Sequence, residues 1–339
     1  MNLVQKSVSQ GGKLAPLIIQ DEMAVFGAMN PSIFIDSDGD ILLNLRIVNY
    51  SLYHSENNQR FPSPWGPLAY LHPEKDQRLA TENYLCLLNK DLSIKKYTHI
   101  EMLNLHEPIW TFHGLEDVRV VQWPDWEDKT KLKYYIIGVR RDTTTNGQGR
   151  MEYSELEIDK EKWTAKEVHR LRIPAPAPNE SYCEKNWMPV VDMPYHFVKW
   201  SMPTEVVKAR PDIPSCNSVF VRETPKAPKD QRGGSQVIRW GDYYITFTHE
   251  VDLWKNYLQQ KDAIYRHRLV VWDKDFNFKG LSNSFAFLDF RIEFCVGAAV
   301  LDDDLLISFA AADNAAFVLR TPKKVVDDLI EEALKYENR

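Results

Sequence analysis

Short apolar runs that alternate with polar residues extend over most of this chain. Runs of four to eight residues bounded by Gly, Pro, Asp and Asn are typical of β-strands. The clearest pair is Ser32–Ile35 and Ile41–Val48, which flank the turn-forming segment Asp36–Asp40 and predict a β-hairpin. Similar runs recur as far as Leu305–Ala310. The pattern therefore predicts an all-β protein.

Five short polar motifs interrupt this pattern, each directly before a group of predicted strands. They begin at Asn30, Gly114, Glu184, Gly233 and Glu293. Five units in 339 residues give about 68 residues each, close to one four-stranded propeller blade with its loops. Because the first strand of each blade lines the central channel, polar residues there predict one axial pocket. We expect it to be formed by Asn30, Asp117, Lys185, Gln236 and Glu293.

Three segments follow from this reading. Residues 1–24 form an N-terminal segment, residues 25–320 a five-bladed β-propeller, and residues 321–339 a short C-terminal helix. The helix is predicted over Lys323–Tyr336 from its apolar periodicity, with Thr321 as its cap. An insertion rich in Pro and aromatic residues, 55–78, is expected to rim or cover the pocket.

Composition narrows the partners and the compartment. A net charge of -6 does not indicate a basic nucleic-acid-binding face, although it leaves a local patch open. The four cysteines form no CxxC pair, which favours reduced thiols in a cytoplasm. The polar N-terminus lacks the apolar core of a signal peptide. The apolar stretch Cys295–Leu301 is too short to cross a bilayer, so we expect a cytoplasmic protein without a membrane partner.

The motifs resemble those of a known group of proteins. Gly114–Arg119 is similar to the Gly-x-Glu-Asp-Pro-Arg string of the five-bladed propellers of glycoside hydrolase family 130, which are mannoside phosphorylases and hydrolases. A closer resemblance is to a branch found alone or fused to glycosyltransferase domains in bacteria and viruses. The strings of that branch match residues 30–33, 46–50, 184–189, 232–236, 249–251 and 292–297.

The resemblance implies a sugar site at the propeller axis. It makes Asp117 the general acid, and it makes Arg119 and Lys185 ligands of a phosphate. Val118 stands where the family has proline. Because proline fixes φ and removes a donor, the backbone that aims Asp117 is expected to differ from that of the family.

Spacing gives a second argument for a charged site. Asp117 and Arg119 are two residues apart, so on a regular strand they share a face, while Glu116 points the other way unless the strand begins with a twist. The alternative is an ion pair that ties two blades together. Cations on inner motifs of an acidic chain favour an anionic substrate group, although solvated strand ends are the alternative for each residue. These cations are Arg46, Arg119, Arg140, Arg141, Lys185, Arg232 and Arg268. The expected substrate-binding residues are Asn30, Arg46, Asn49, Tyr50, Glu116, Arg119, Lys185, Asn186, Trp187, Gln236, His249, His267 and Arg268.

The sequence predicts neither a metal site nor a cofactor. Asp36, Asp38 and Asp40 resemble the start of a calcium loop, but Ile41 and Ile47 replace its essential Gly and Glu. His249-Glu250 is followed by Leu253 where a zinc-binding motif needs a second His.

Together these observations predict a carbohydrate-active enzyme that performs glycosyl transfer, either a glycosyltransferase or a glycoside phosphorylase. The donor would be a sugar phosphate or nucleotide sugar, and the acceptor a glycan or another hydroxyl. One alternative is an inverting glycoside hydrolase, which needs a second carboxylate, with Glu250 and Glu293 as candidates. The other is a non-catalytic glycan-binding module, which would need fewer cations in its pocket.

Overall fold

The structure is a computed structural model that describes residues 1–20, 27–50, 58–61, 68–71, 79–144, 147–175, 184–257, 259 and 261–336. For 58–61, 68–71 and 261 it describes the backbone alone. In chain order the elements are α1 (Leu3–Val8), β1 (Lys13–Pro16), β2 (Ala28–Ile35), β3 (Ile41–Val48), β4 (Asn58–Phe61), β5 (Leu68–Leu71), β6 (Leu79–Leu88), β7 (Ile94–Glu101), β8 (Phe112–His113), β9 (Leu115–Pro124), β10 (Leu132–Arg140), β11 (Arg150–Asp159), β12 (Thr164–Arg172), β13 (Met188–Pro189), β14 (His196–Trp200), β15 (Thr204–Ala209), β16 (Cys216–Arg222), β17 (Ile238–Trp240), β18 (Tyr243–Lys255), β19 (Lys261–Trp272), β20 (Phe278–Leu281), β21 (Glu293–Leu301), β22 (Asp304–Ala311), β23 (Ala315–Thr321) and α2 (Lys323–Leu334).

Twenty of the described strands form five antiparallel four-stranded blades, which confirms the predicted fold class. The outer strands of the first two blades, β7 and β12, also pair in parallel and join these blades into one sheet. Blade 1 is β2-β3-β6-β7, blade 2 is β9-β10-β11-β12, blade 3 is β13-β14-β15-β16 and blade 4 is β17-β18-β19-β20. Blade 5 is β21-β22-β23 with β1 as its outer strand, so the two ends of the chain close the ring in one sheet. The boundary predicted at residue 24 thus separates β1 from the sheet to which it belongs.

The inner strands meet at one buried glutamine. The side-chain amide of Gln236, just before β17, donates to Ser32 Oγ at 3.2 Å, Ile33 O at 3.1 Å and Val120 O at 3.0 Å. Its Oε1 accepts from the backbone N–H of Ala298 at 3.0 Å. One side chain therefore links blade 4 to blades 1, 2 and 5. Because its hydrogen bonds go to the protein, the polar character of this motif is structural.

Two local predictions have different outcomes. The hairpin at Asp36–Asp40 is present, and the ammonium of Lys160 lies within 2.6–2.7 Å of the carboxylates of Asp36, Asp38 and Asp40, tying blade 1 to blade 2. The predicted helix is present as α2, but Thr321 does not cap it. Thr321 is the last residue of β23, and its hydroxyl accepts from Ser7 Oγ inside the protein.

Other features bear on the predicted surroundings of the site. Cys86, Cys216 and Cys295 are free thiols, and Cys183 lies outside the described residues. The predicted insertion is described only where β4 and β5 pair as a hairpin, so its role as a lid lies outside the described residues. In the described part of the chain, no helix has the length and apolar character needed to cross a membrane.

Candidate active site

Irregular backbone at the start of the inner strands forms the first part of the site. The pairing of β2 with β3 shifts between Met29 and Ser32, and the pairing of β9 with β10 shifts opposite Asp117. At these bulges Asn30 and Asp117 adopt left-handed conformations, with φ of 45° and 52°. Asn and Asp tolerate this region better than most residues. β-Bulges and strained backbone often occur at functional sites, where they change the direction of side chains.

Asp117 is the centre of this arrangement. Its Oδ1 accepts from Arg46 Nη1 at 2.7 Å and from Asn30 Nδ2 at 2.6 Å, and its side chain stays 16% exposed. Burial alone would raise the pKa of this carboxyl, but Arg46, Arg119 and the Asn30 hydrogen bond together bring it below its usual value. Asp117 is therefore ionised at neutral pH and within reach of a ligand.

Arg46 holds the acidic residues in place. Its guanidinium donates to Thr81 Oγ1 at 3.2 Å and to Tyr50 Oη at 2.8 Å, and it lies 3.7 Å from Glu116 Oε2. Glu116 and Asp117 thus both contact Arg46, which is the exception that the sequence left open for an irregular start of the strand. The bulge and the left-handed Asp117 break the two-residue alternation of a regular strand.

Sequence reasoning missed a second carboxylate, Asp313. It follows β22 with φ of 49°. Burial is the main reason that the pKa of the Asp313 carboxyl is raised to about 6. The negative charge of Asp117 also raises this pKa, and the positive charge of Arg46 lowers it. An Asp-Asn pair after a strand is usually a turn, so the sequence alone gave little reason to select it. Two neighbouring carboxyls with opposite shifts can serve as an acid and an ionised partner.

A cationic rim surrounds the carboxylates. Lys185, just before β13, is exposed, and its charge acts on both Asp117 and His249. Burial is the main cause of the strongly lowered pKa of His249, and the charges of Arg232 and Lys185 lower it further. The His249 ring stacks on Tyr265, with 5.4 Å between ring centres. The neutral imidazole is therefore suited to hydrogen bonding.

Three buried polar atoms at the site have no hydrogen-bond partner among the described residues. They are Asn30 Oδ1, Asn186 Oδ1 and His249 Nδ1. Asn186 is also left-handed, with φ of 61°. Buried polar atoms are normally paired, so these atoms favour a polar ligand at this end of the axis.

Arg119 has a different environment from the one expected of a phosphate ligand. It is 1% exposed, its Nε and Nη2 donate to Gly234 O at 2.9 and 2.7 Å, and its Nη1 donates to Asp117 O at 2.6 Å. Burial lowers the pKa of Arg119 to about 10, against the opposing charge of Asp117. The guanidinium joins blade 2 to blade 4, so we omit it from the proposed anion site.

Replacing Arg119 with methionine is therefore expected to lower stability. The change leaves the carbonyls of Gly234 and Asp117 without their donors, and we expect the free energy of unfolding to fall by about 2–4 kcal/mol. Urea denaturation measures this loss. Arg239→Met, at an exposed guanidinium stacked on Tyr244, is the control and should cost under about 1 kcal/mol. Unchanged unfolding in Arg119→Met with weakened phosphate binding would contradict the structural role.

Both alternative catalytic carboxylates are bound by protein donors. Glu250 is buried and accepts from Arg268 Nε at 2.8 Å and Gln231 Nε2 at 3.2 Å. Glu293 is fully buried and accepts backbone N–H groups of Phe287 at 2.6 Å, Leu288 at 2.7 Å and Phe290 at 3.1 Å. Glu250 links two strands of blade 4, and Glu293 holds the loop that precedes β21. We therefore assign no proton transfer to either residue.

Three other predicted residues make hydrogen bonds within the protein. His267 is fully buried, accepts from Cys295 N at 3.3 Å, and has a pKa lowered to about 3 by burial. Trp187 is 1% exposed and donates to Glu184 Oε2 at 2.9 Å inside blade 3. Asn49 accepts from Ala80 N at 2.7 Å. None of these three side chains is part of the site that we propose.

Solved structures share this architecture over nearly the whole chain. Beta-1,2-mannobiose phosphorylase from Listeria innocua matches with a TM-score of 0.53 at 11% identity, covering 94% of each chain. The chain has the fold of the family 130 enzymes. A GH130 protein reported among glycoside hydrolases that target beta-1,2 mannosidic linkages in Candida mannan matches with a TM-score of 0.54 at 10% identity, covering 88% of this chain and 85% of that chain.

The fold likeness extends to a glycosyl hydrolase from Bacteroides ovatus. It has a TM-score of 0.55 at 8% identity and covers 88% of this chain and 85% of that chain. No family model and no curated protein sequence matches this chain. The likeness therefore establishes the propeller fold, and the argument for function has to come from the site.

Proposed function

We propose that the axial pocket transfers a glycosyl group between phosphate and the hydroxyl of a sugar. The observation that carries this proposal is the pair Asp117 and Asp313, whose pKa values are shifted in opposite directions beside Arg46. Lys185 and Arg232 place positive charge at the same site. An acid, an ionised carboxylate and an anion-binding rim are the groups that phosphorolysis needs.

The proposed reaction is a direct displacement. A phosphate oxygen attacks the anomeric carbon and forms the new C–O bond while the glycosidic C–O bond breaks. The proton of Asp313 goes to the leaving oxygen, which departs as a hydroxyl. Asp117 stays ionised, accepts a hydrogen bond from a sugar hydroxyl and stabilises the positive charge that develops at the anomeric carbon. In the reverse direction Asp313 accepts the proton from the acceptor hydroxyl.

The choice of substrate follows from the fold relatives. Because one of them is a phosphorylase of beta-1,2-mannobiose, we propose a mannoside and inorganic phosphate as the first pair to test. A nucleotide sugar would place its diphosphate against the same cations, so it is the alternative donor. Hydrolysis is the second candidate reaction, because an ionised Asp313 could activate a water molecule opposite the leaving group.

Lys185→Ala tests the anion site by binding alone. A hydrogen bond from a charged group contributes enough binding free energy that the variant should bind phosphate about ten- to a hundredfold more weakly. Calorimetric titrations with phosphate, mannose 1-phosphate and a nucleotide sugar would measure this and rank the donors. Lys274→Ala removes the same charge from an exposed position in the turn before β20 and should bind as the wild type does. Equal binding by the wild type and Lys185→Ala would contradict the proposed site.

A further inference from the structure

A second cleft lies on the face of blade 2, beside the axial pocket. Its volume is about 440 Å³. Strands β10 and β12 supply its arginines, Arg140, Arg170 and Arg172, and strand β11 supplies Glu152. The segment between β7 and β8 supplies its apolar wall, Leu105 and Ile109. Arg140 is the lining residue that belongs to the cations from which the sequence predicts an anionic substrate group.

The cleft is built on a buried arginine with one unused donor. Arg140 is 6% exposed, and its Nε donates to Glu152 Oε2 at 2.8 Å and its Nη1 to Asp142 Oδ2 at 3.1 Å. Its Nη2 has no hydrogen-bond partner among the described residues. Arg172 donates through Nη2 to Glu152 Oε1 at 3.2 Å and to Thr143, while its Nε likewise lacks a partner within the described chain.

The wall of the cleft is anchored at both ends. The backbone N–H of Ile109 donates to Asp142 O at 2.7 Å. At the other end the N–H of Leu103 donates to Glu167 Oε2 at 2.7 Å, and Arg170 Nη2 donates to Leu103 O at 2.8 Å. A wall fixed in this way is ordered before a ligand arrives, which lowers the entropic cost of binding.

Charge and hydrogen bonding together define the ligand class. The cleft is lined by three arginines with Glu107 and Glu152 beside them, while Asp142 pairs with Arg140 and Glu167 with Arg170. Both oxygens of Glu152 accept hydrogen bonds from arginines, and Asp142 Oδ1 is the one carboxylate oxygen of Glu152 and Asp142 without a partner in the described part of the chain. The unused groups of the arginines are N–H donors. Guanidinium forks match carboxylates and phosphates best, and the exposed Leu105 and Ile109 offer apolar surface for the C–H face of a sugar ring.

The cleft adjoins the site of the proposed reaction. Arg140 faces the cleft, while the next residue, Arg141, has its Nε 3.6 Å from Glu116 Oε1. Asp142, which holds Arg140, also accepts from the backbone N–H of Gly114 at 2.8 Å, three residues before Asp117. The geometry points to a second subsite that binds the carboxylate or phosphate group of an anionic sugar. Within the proposed function this sugar is the acceptor, and that role rests on the proposed function, whereas the anion site itself does not.

Equilibrium titration of the full chain tests the subsite, with mannuronate, mannose 6-phosphate and neutral mannose as probes. At least one anionic probe should saturate while mannose binds at least tenfold more weakly. Arg172→Gln should weaken the anionic probe about ten- to a hundredfold. Binding of mannuronate alone assigns a carboxylate, and binding of mannose 6-phosphate alone assigns a phosphate.

A second pair of variants keeps the test independent of Arg172. Leu105→Asp adds repulsion on the exposed wall and should weaken the anionic probe, whereas Leu105→Asn should not. Lys274→Ala, at an exposed position, should leave this binding in place. No saturable binding of either anion, or binding insensitive to both Arg172→Gln and Leu105→Asp, would overturn the subsite. If the wild type shows no phosphorolysis but retains Arg172-dependent binding, the proposed function fails and the subsite stands.

Discussion

Asp117→Asn should lower kcat/KM for phosphorolysis by roughly 10²–10⁴, the range expected when an acid–base or charge-stabilising group is lost. The amide keeps the shape of the side chain but cannot hold the negative charge that Arg46 positions at 2.7 Å. Steady-state rates and a thermal melt on the same preparation measure the effect per folded molecule.

The same substitution has a structural component that must be separated from catalysis. Arg46 is buried and loses an ionised partner in Asp117→Asn, so the melting temperature should also fall. Asp242→Asn, in an exposed turn between β17 and β18, is the matched control and should change neither quantity. Wild-type turnover in folded Asp117→Asn would remove Asp117 from the mechanism and leave its contact with Arg46 as a structural ion pair.

Asp313→Asn should abolish one limb of the pH–rate profile. Because the pKa of Asp313 is raised to about 6, the acid is protonated below that pH and loses its proton above it. Wild-type kcat/KM should therefore fall as the pH rises through about 6. The variant cannot donate a proton, so its rate should be roughly 10²–10⁴ lower, and its profile should lack that alkaline fall.

A substrate with a good leaving group provides the control for this role. The nitrophenolate of a nitrophenyl mannoside leaves without being protonated. Asp313→Asn should therefore recover most of its lost rate on that substrate. An alkaline limb that persists in Asp313→Asn, or an equal rate loss on both substrates, would contradict assignment of the proton donor to Asp313.

The sequence predicted the architecture because propeller signals are local and repeated. The turn at Asp36–Asp40 and the apolar face of α2 depend on neighbouring residues and were predicted correctly. The direction of Glu116 depended on whether the strand starts regularly, and the sequence does not show the left-handed residue at a bulge that changes the alternation. The contacts of Arg119 were missed, because its acceptor Gly234 O is a backbone atom of a distant blade.

The second carboxylate illustrates the same limit. Asp313 follows an ordinary strand in the last blade, and its raised pKa depends on burial and on Asp117 in blade 2. No pattern along the chain encodes that proximity. The sequence shows where charged residues lie along the chain, but which of them pair depends on the folded ring of blades.

The most direct measurement is the product formed from a beta-1,2-linked manno-oligosaccharide in phosphate buffer, followed by ³¹P NMR. We expect a sugar 1-phosphate signal that grows with wild-type protein, requires phosphate and is lost in Asp117→Asn. Release of free mannose with no phosphate ester, or a sugar phosphate signal that is undiminished in Asp117→Asn, would contradict phosphate-dependent transfer at the axial pocket.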